Sequence, residues 1–247
     1  MLGLGTIINV VAIVGGATIG VLLGNKLPEK MSRVLTDAMG LVVLVIGAIN
    51  LMALWDSEYV EAVTSAGTLL VVLGALLIGG IAGSLLQIEE RLETFGGWLQ
   101  KKTSKSNQDS SKEKFIEGFV NASLLFTIGP MAVLGALSDG LGQGFETLAL
   151  KSTLDGFTAI AFAAALGWGV AFSAIPVGVW QGSLTVVAAF AGALMPAAVV
   201  SAITATGGIL LLATGLRVLQ IRMVSVASLL PALIFAPLLT LLIQSAT

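Results

Sequence analysis

Cysteine and histidine are absent from this chain of 247 residues, tyrosine occurs once, and charged residues make up only 11%. Without thiols or imidazoles there are no disulfides, and a dedicated zinc or copper centre is not expected. A net charge of -2 leaves no basic surface to neutralise a phosphate backbone, so no nucleic acid partner is expected. Catalytic patterns are missing as well. No serine lies in a G-x-S-x-G turn, and neither a Walker motif nor a dinucleotide-binding glycine motif occurs. An intramembrane hydrolase using Asp139 and Asp155 as paired carboxylates is the one enzymatic arrangement the residues allow. It is set aside, and the chain is read as a non-enzyme without a cofactor.

What remains is apolar. The chain is 56% hydrophobic and has a mean hydropathy of +1.01, whereas about a quarter of the residues of soluble domains are charged. Long uncharged runs, in place of alternating ten-residue strands, predict an all-α polytopic membrane protein rather than a β-barrel. Thirty glycines suit helices that approach closely in lipid, where association relies on packing. The first residues lack a basic region and a polar cleavage region, so they are read as a retained span rather than a signal peptide.

About 20 helical residues cross the hydrocarbon core, and on that measure the chain holds eight spans. Leu2–Gly24, Ala38–Trp55 and Ala62–Ile88 are the first three, with an acidic loop of Asp56, Glu58 and Glu61 after the second. Gly118–Leu137 is the fourth, interrupted at Gly129-Pro130. From Gly156 to Leu216 runs an uncharged stretch of 61 residues, or about 90 Å of helix at 1.5 Å per residue. That is three crossings, punctuated by Pro176 and Pro196, and Met223–Thr247 is the eighth.

Two amphipathic segments, Lys26–Asp37 and Glu89–Gln100, are read as interfacial helices, the first with an Arg33–Asp37 pair and the second with Ile88, Leu92, Phe95 and Leu99 on its apolar side. The serine-rich run Lys101–Lys114 reads as a flexible linker. It divides the chain into an N-terminal membrane half, residues 1–100, and a C-terminal half, residues 115–247. With both termini outside, eleven of the twelve basic residues fall on the cytoplasmic side, and Lys151 is the exception.

A shift of 168 positions aligns the chain with itself at Gly24/Gly192, Pro28/Pro196, Thr36/Thr204, Gly40/Gly208, Leu44/Leu212, Gly47/Gly215 and Leu51/Leu219, seven identities in 28 gapless positions. The match relates span one to span six and span two to span seven, which run in opposite directions. Inverted repeats of this kind are common in secondary transporters. Gly16-x-x-x-Gly20 and Gly79-x-x-x-Gly83 suit either packing within one subunit, the preferred reading, or contact in a homo-oligomer.

The stretch Ser138–Gly156 concentrates the chemistry, because Asp139, Glu146, Lys151 and Asp155 lie between or at the edges of apolar spans. Ionisable groups there are costly unless paired or wetted, and they mark ion or substrate paths. Glycines at 140, 142 and 144 oppose a continuous helix, so an interrupted or re-entrant segment is expected around Leu141–Leu154. The four charges sum to -2, which favours a cation or proton, and oxygen ligands suit sodium, magnesium, calcium or manganese. Asp155 is the leading site residue, with Asn121, Ser152, Thr158 and Gln181 beside it. The plainer alternative is an i,i+4 ion pair of Lys151 and Asp155 near the outer interface, with Asp139 and Glu146 solvated. Asn9 and Asn50 are read as ordinary interhelical hydrogen bonders.

The runs SLLFTIGPMAVLGALSDGLGQGFETLALKSTLDGFTAIAFA and NKLPEKMSRVLTDAMGL resemble the domain-of-unknown-function 554 family of bacterial inner-membrane proteins. The resemblance covers nearly the whole chain and is plainest at Lys151-Ser152 to Asp155-Gly156. It implies a bacterial cytoplasmic membrane location and no particular substrate or reaction. The expectation is a secondary transporter or ion-permeation protein that binds a cation or proton, coupled to a small solute; the alternative is a membrane scaffold or regulatory protein with structural charge pairs.

Overall fold

A computed structural model describes residues 3–24, 29–103, 109–128, 130–191 and 196–245, and among these the chain is helical with no strand. The helices are α1 (Leu4–Gly24), α2 (Glu29–Asn50), α3 (Ser57–Val63), α4 (Ser65–Leu85), α5 (Ile88–Thr103), α6 (Asp109–Ile128), α7 (Pro130–Gly140), α8 (Glu146–Leu166), α9 (Gly169–Phe172), α10 (Ala174–Ala191), α11 (Ala197–Val218), α12 (Val226–Leu229) and α13 (Ala232–Gln244). Seven stretches are long and apolar enough to cross a membrane, and the pair α6–α7, bent by 75°, brings the number to eight if it is one broken span. The all-α polytopic reading holds.

Several boundaries differ from those expected. Lys30 and Arg33 open α2, which runs unbroken into the second span instead of being followed by a separate one. Asp56 accepts from the Glu58 and Tyr59 N–H groups at 3.2 and 3.3 Å, so the acidic loop becomes the capped helix α3. The span expected from Gly156 begins ten residues earlier, at Glu146, because the break in Ser138–Gly156 is confined to the turn after Gly140, where Gly142 and Gly144 take positive φ. No interrupted segment follows, and Lys151 and Asp155 lie inside a continuous helix. The next break falls at Gly167 (φ 79°), and Pro176 occupies the first turn of α10, where a missing N–H costs nothing. Gly129 lies outside the described residues, as does the middle of the serine-rich run, residues 104–108.

Contacts divide the chain into two compact units, one of Met1–Leu41, Leu92–Thr127 and Met131–Leu194, the other of Val42–Arg91, Ile128–Pro130 and Met195–Thr247. In the first unit α1 and α8 lie side by side and parallel. Added Cβ atoms at Gly16, Gly20 and Gly24 would overlap the carbonyl oxygens of Gly156, Ile160 and Ala164 in turn, so only glycine permits this approach. The α6–α7 pair runs the other way along α8: a Cβ on Gly118 would sit 3.0 Å from Leu166 Cβ, and one on Gly135 2.8 Å from the Leu148 side chain. The bent pair therefore covers the whole length of α8.

The second unit centres on α11, the most enclosed of the seven unbent candidate spans, with 61% of its apolar window buried against 39% or less for the other six. Tyr59, Ala62, Val71, Ala75, Ala198, Ala202, Ala232 and Ala236 form its core. Gly79 and Gly83 of α4 lie directly on Ala232 and Ser228, so both small-residue motifs serve packing within the subunit.

Candidate functional site

The first unit gathers most of the polar residues singled out from the sequence. Lys151 Nζ and Asp155 form an ion pair on consecutive turns of α8, and their side chains are 6% and 11% exposed. Asp155 is nine residues from the start of a 21-residue helix, or about 13 Å along an axis of about 30 Å. The i,i+4 pairing expected by the plainer reading is present, and it stands in the middle of a continuous helix rather than at a helix end. The Lys151 ammonium also lies 5.9 Å from the centre of the Phe126 ring, a cation–π contact between buried side chains.

Around the pair the fit is incomplete. Asn9 of α1 donates through Nδ2 to Gln181 Oε1 of α10 at 3.2 Å, the interhelical hydrogen bond expected of it, and also interacts with the Asp155 carboxylate. Both amides are fully buried, yet Asn9 Oδ1 and Gln181 Nε2 have no hydrogen-bond partner. Buried polar atoms without partners cost about 1–3 kcal/mol each. Thr6 Oγ1 and Thr185 Oγ1, on the same two helices, are likewise buried and unpartnered. Ser152 is satisfied locally, donating to the Leu148 carbonyl oxygen at 2.6 Å.

The remaining candidates separate. Asp139 is 4% exposed and accepts from the Gly3 and Gly5 N–H groups at 3.2 and 3.0 Å, which caps the start of α1 from 134 or more residues away. The leading sequence reading counts Asp139 among the ion-binding residues, and the plainer alternative leaves it solvated; neither anticipates the cap. Glu146 is exposed and lies over Gly144 at the entrance to α8. Asn121 is fully buried with neither amide atom partnered, Thr158 is half-buried, and no hydrogen bond joins either to Asp155. Among the described residues no group of three or more acidic side chains gathers in the way a carboxylate-held divalent ion requires.

The second unit holds a charge pair that the sequence did not announce. Glu89, expected on the solvated side of a surface helix, is 9% exposed; it pairs with Arg217 in the last turn of α11 and accepts from the Ala227 N–H at 2.8 Å. Two charges 128 residues apart thus tie α5, α11 and α12 together. Their spacing gave no signal.

Seven or eight candidate spans, helices held by glycine contacts and ion pairs buried within them define a multi-pass helical membrane protein, with the lipid bilayer as its surroundings. The chain belongs to the family described as "Protein of unknown function (DUF554)", whose model matches residues 4–241. It is 32% identical over 243 residues to "Uncharacterized membrane protein YdfK" of Bacillus subtilis, covering 98% of this chain and 97% of the relative. It is also 32% identical over 233 residues to "Uncharacterized protein YqgA" of Escherichia coli, covering 94% of each. No solved structure matches it.

Proposed function

We propose that the protein is a secondary transporter or ion-permeation protein of the bacterial cytoplasmic membrane. In it Asp155 takes up and releases a proton or a monovalent cation, coupled to a small solute, and Lys151 is its partner when the ion is away. The observation that carries this reading is the Lys151–Asp155 pair at mid-helix beside the half-satisfied amides of Asn9 and Gln181. A buried ion pair is often no more stabilising than an apolar replacement, so holding helices together is a weak reason to keep one in a span. Charges in that position belong by default to ion or substrate paths. The absence of a multi-carboxylate group among the described residues favours a proton or alkali ion over a divalent one. On this reading the protein moves a solute and makes no covalent change.

The architecture is consistent with it. Parallel α1 and α8, together with a bent pair that runs the length of α8, favour eight crossings with both termini on one side. The basic residues then set that side outside. Asn9 faces Gln181, and a Cβ on Gly178 would meet Val10, so α1 and α10 lie antiparallel, as two inverted copies would.

A thermal-stability scan of the purified protein over pH and over lithium, sodium and potassium, with Asp155→Asn alongside, tests the proposal. A ligand of the folded state alone stabilises by about 2.7 kcal/mol at a hundredfold excess over Kd. The expected result is a response in the parent that disappears in the variant. No response in either protein, or equal responses, would leave the charges structural and replace the proposal with a membrane scaffold.

A further inference from the structure

We infer that the first unit contains a one-sided hydrated file, leading from the α1 N-terminal end to Asp155 and closed beyond it. This deepens the reading of Asp155 as the ion-carrying residue and rests on it for its purpose, though not for its geometry. Asp139 stands at the mouth, bound to the Gly3 and Gly5 N–H groups. One turn further in is Thr6, then Asn9. On the antiparallel helix α10, Gln181 faces Asn9, and Thr185 lies one turn nearer the mouth, where a Cβ on Gly140 would overlap its carbonyl oxygen. Asn9 also reaches the Asp155 carboxylate. Thr6, Asn9, Gln181 and Thr185 form a polar strip along α1 and α10, with Asp139 of α7 at its outer end and Asp155 of α8 at its inner end.

Four atoms of the strip, Thr6 Oγ1, Thr185 Oγ1, Asn9 Oδ1 and Gln181 Nε2, are buried without partners. In a span surrounded by lipid they have nothing else to bond to, and each costs a substantial part of a hydrogen bond if left dry. The chemistry of the set identifies the occupant. Gln181 Nε2 only donates, Asn9 Oδ1 only accepts, and the hydroxyls do both. A bare cation is repelled by the first and an anion by the second, whereas water satisfies all four.

Beyond Asp155 the lining changes. Gly16, Gly20 and Gly24 press onto the backbone of α8, and Ile13 and Ala163 are 0% and 1% exposed, so the seam between α1 and α8 offers no polar step onward. The charged groups on the path are Lys151, paired with Asp155, and Asp139 at the mouth; α1, α9 and α10 carry no ionisable side chain. Water in the file would give Asp155 exchange with one side of the membrane only.

The absence of cysteine makes the test direct. Single Thr6→Cys, Thr185→Cys, Ile13→Cys and Ala163→Cys variants, with Glu146→Cys as the exposed reference, are treated in sealed cells with a small membrane-impermeant thiol reagent. The expected result is labelling at positions 6 and 185 within about tenfold of position 146 and at least tenfold above positions 13 and 163. Labelling at 6 and 185 no faster than at 13 and 163 overturns the file. Should a variant aggregate, amide hydrogen exchange on the unsubstituted protein decides instead: faster exchange over Leu4–Ala12 than over Ile13–Gly24 supports the file, and equal protection overturns it. A labelled file in a protein whose stability ignores ions would sink the transport reading and keep the file; the reverse pattern would do the opposite.

Discussion

Asn9 and Gln181, 172 residues apart, share a 3.2 Å hydrogen bond between two fully buried amides, and each keeps a further polar atom without a partner. Removing one amide strands the other, whereas removing both leaves an apolar contact. Asn9→Leu and Gln181→Leu should each lower stability by about 1–3 kcal/mol. The double variant should lose less than the sum, with a coupling of about 0.5–2 kcal/mol, as measured by reversible unfolding in detergent. Strict additivity would mean that the two amides do not act together.

The Glu89–Arg217 pair predicts a larger effect from single changes. Arg217→Met leaves a buried carboxylate facing only the Ala227 N–H, and breaking a buried pair costs about 3–5 kcal/mol. Glu89→Leu with Arg217→Met removes both charges and should recover part of that loss. A melting temperature for Arg217→Met within a degree of the parent's would show that the pair contributes nothing.

The glycines give a prediction with an internal control. A Cβ at Gly20 would overlap the Ile160 carbonyl oxygen and lie 2.9 Å from Ala163 Cβ, and one at Gly83 would overlap the Ser228 carbonyl oxygen. Alanine at either position should destabilise by about 2 kcal/mol or more, since neighbouring backbone must move. Gly15 and Gly182 meet nothing within 4 Å, so alanine there should be neutral or stabilise by about 0.5–1 kcal/mol through helix propensity. Thermal midpoints of the four variants in one detergent decide the matter, and equal losses at all four would contradict the packing.

Tyr59 lies outside the spans, on α3, and donates to the Thr68 carbonyl oxygen at 3.2 Å. Burial pushes its phenol from 10.0 up to about 12, against a weaker opposing hydrogen bond from Thr240. The folded value therefore exceeds the unfolded one. The corresponding stability is fully present below about pH 10 and is lost as pH rises towards 12. Unfolding midpoints measured from pH 9 to 12 should fall for the parent more steeply than for Tyr59→Phe. Parallel curves would show that the phenol is not responsible.

Class and span content were legible in the sequence because hydrophobic length is a local property: a run such as Leu4–Gly24 declares its fate without reference to anything else. The i,i+4 spacing of Lys151 and Asp155 likewise fixed their pairing, since both stand on one helix. The glycines of Ser138–Gly156 were misleading. They mark a turn of a few residues, and the apolar face of Leu148 and the residues after it carries the helix onward through the charges. Tertiary structure alone decided that the pair is buried at mid-helix, that Asn9 meets Gln181, that Asp139 caps a helix on the far side of the sequence, and that Glu89 finds Arg217. Each of those depends on which helices become neighbours. In lipid that choice is made by close packing and interhelical hydrogen bonds rather than by a hydrophobic stripe, so no periodicity in the chain records it.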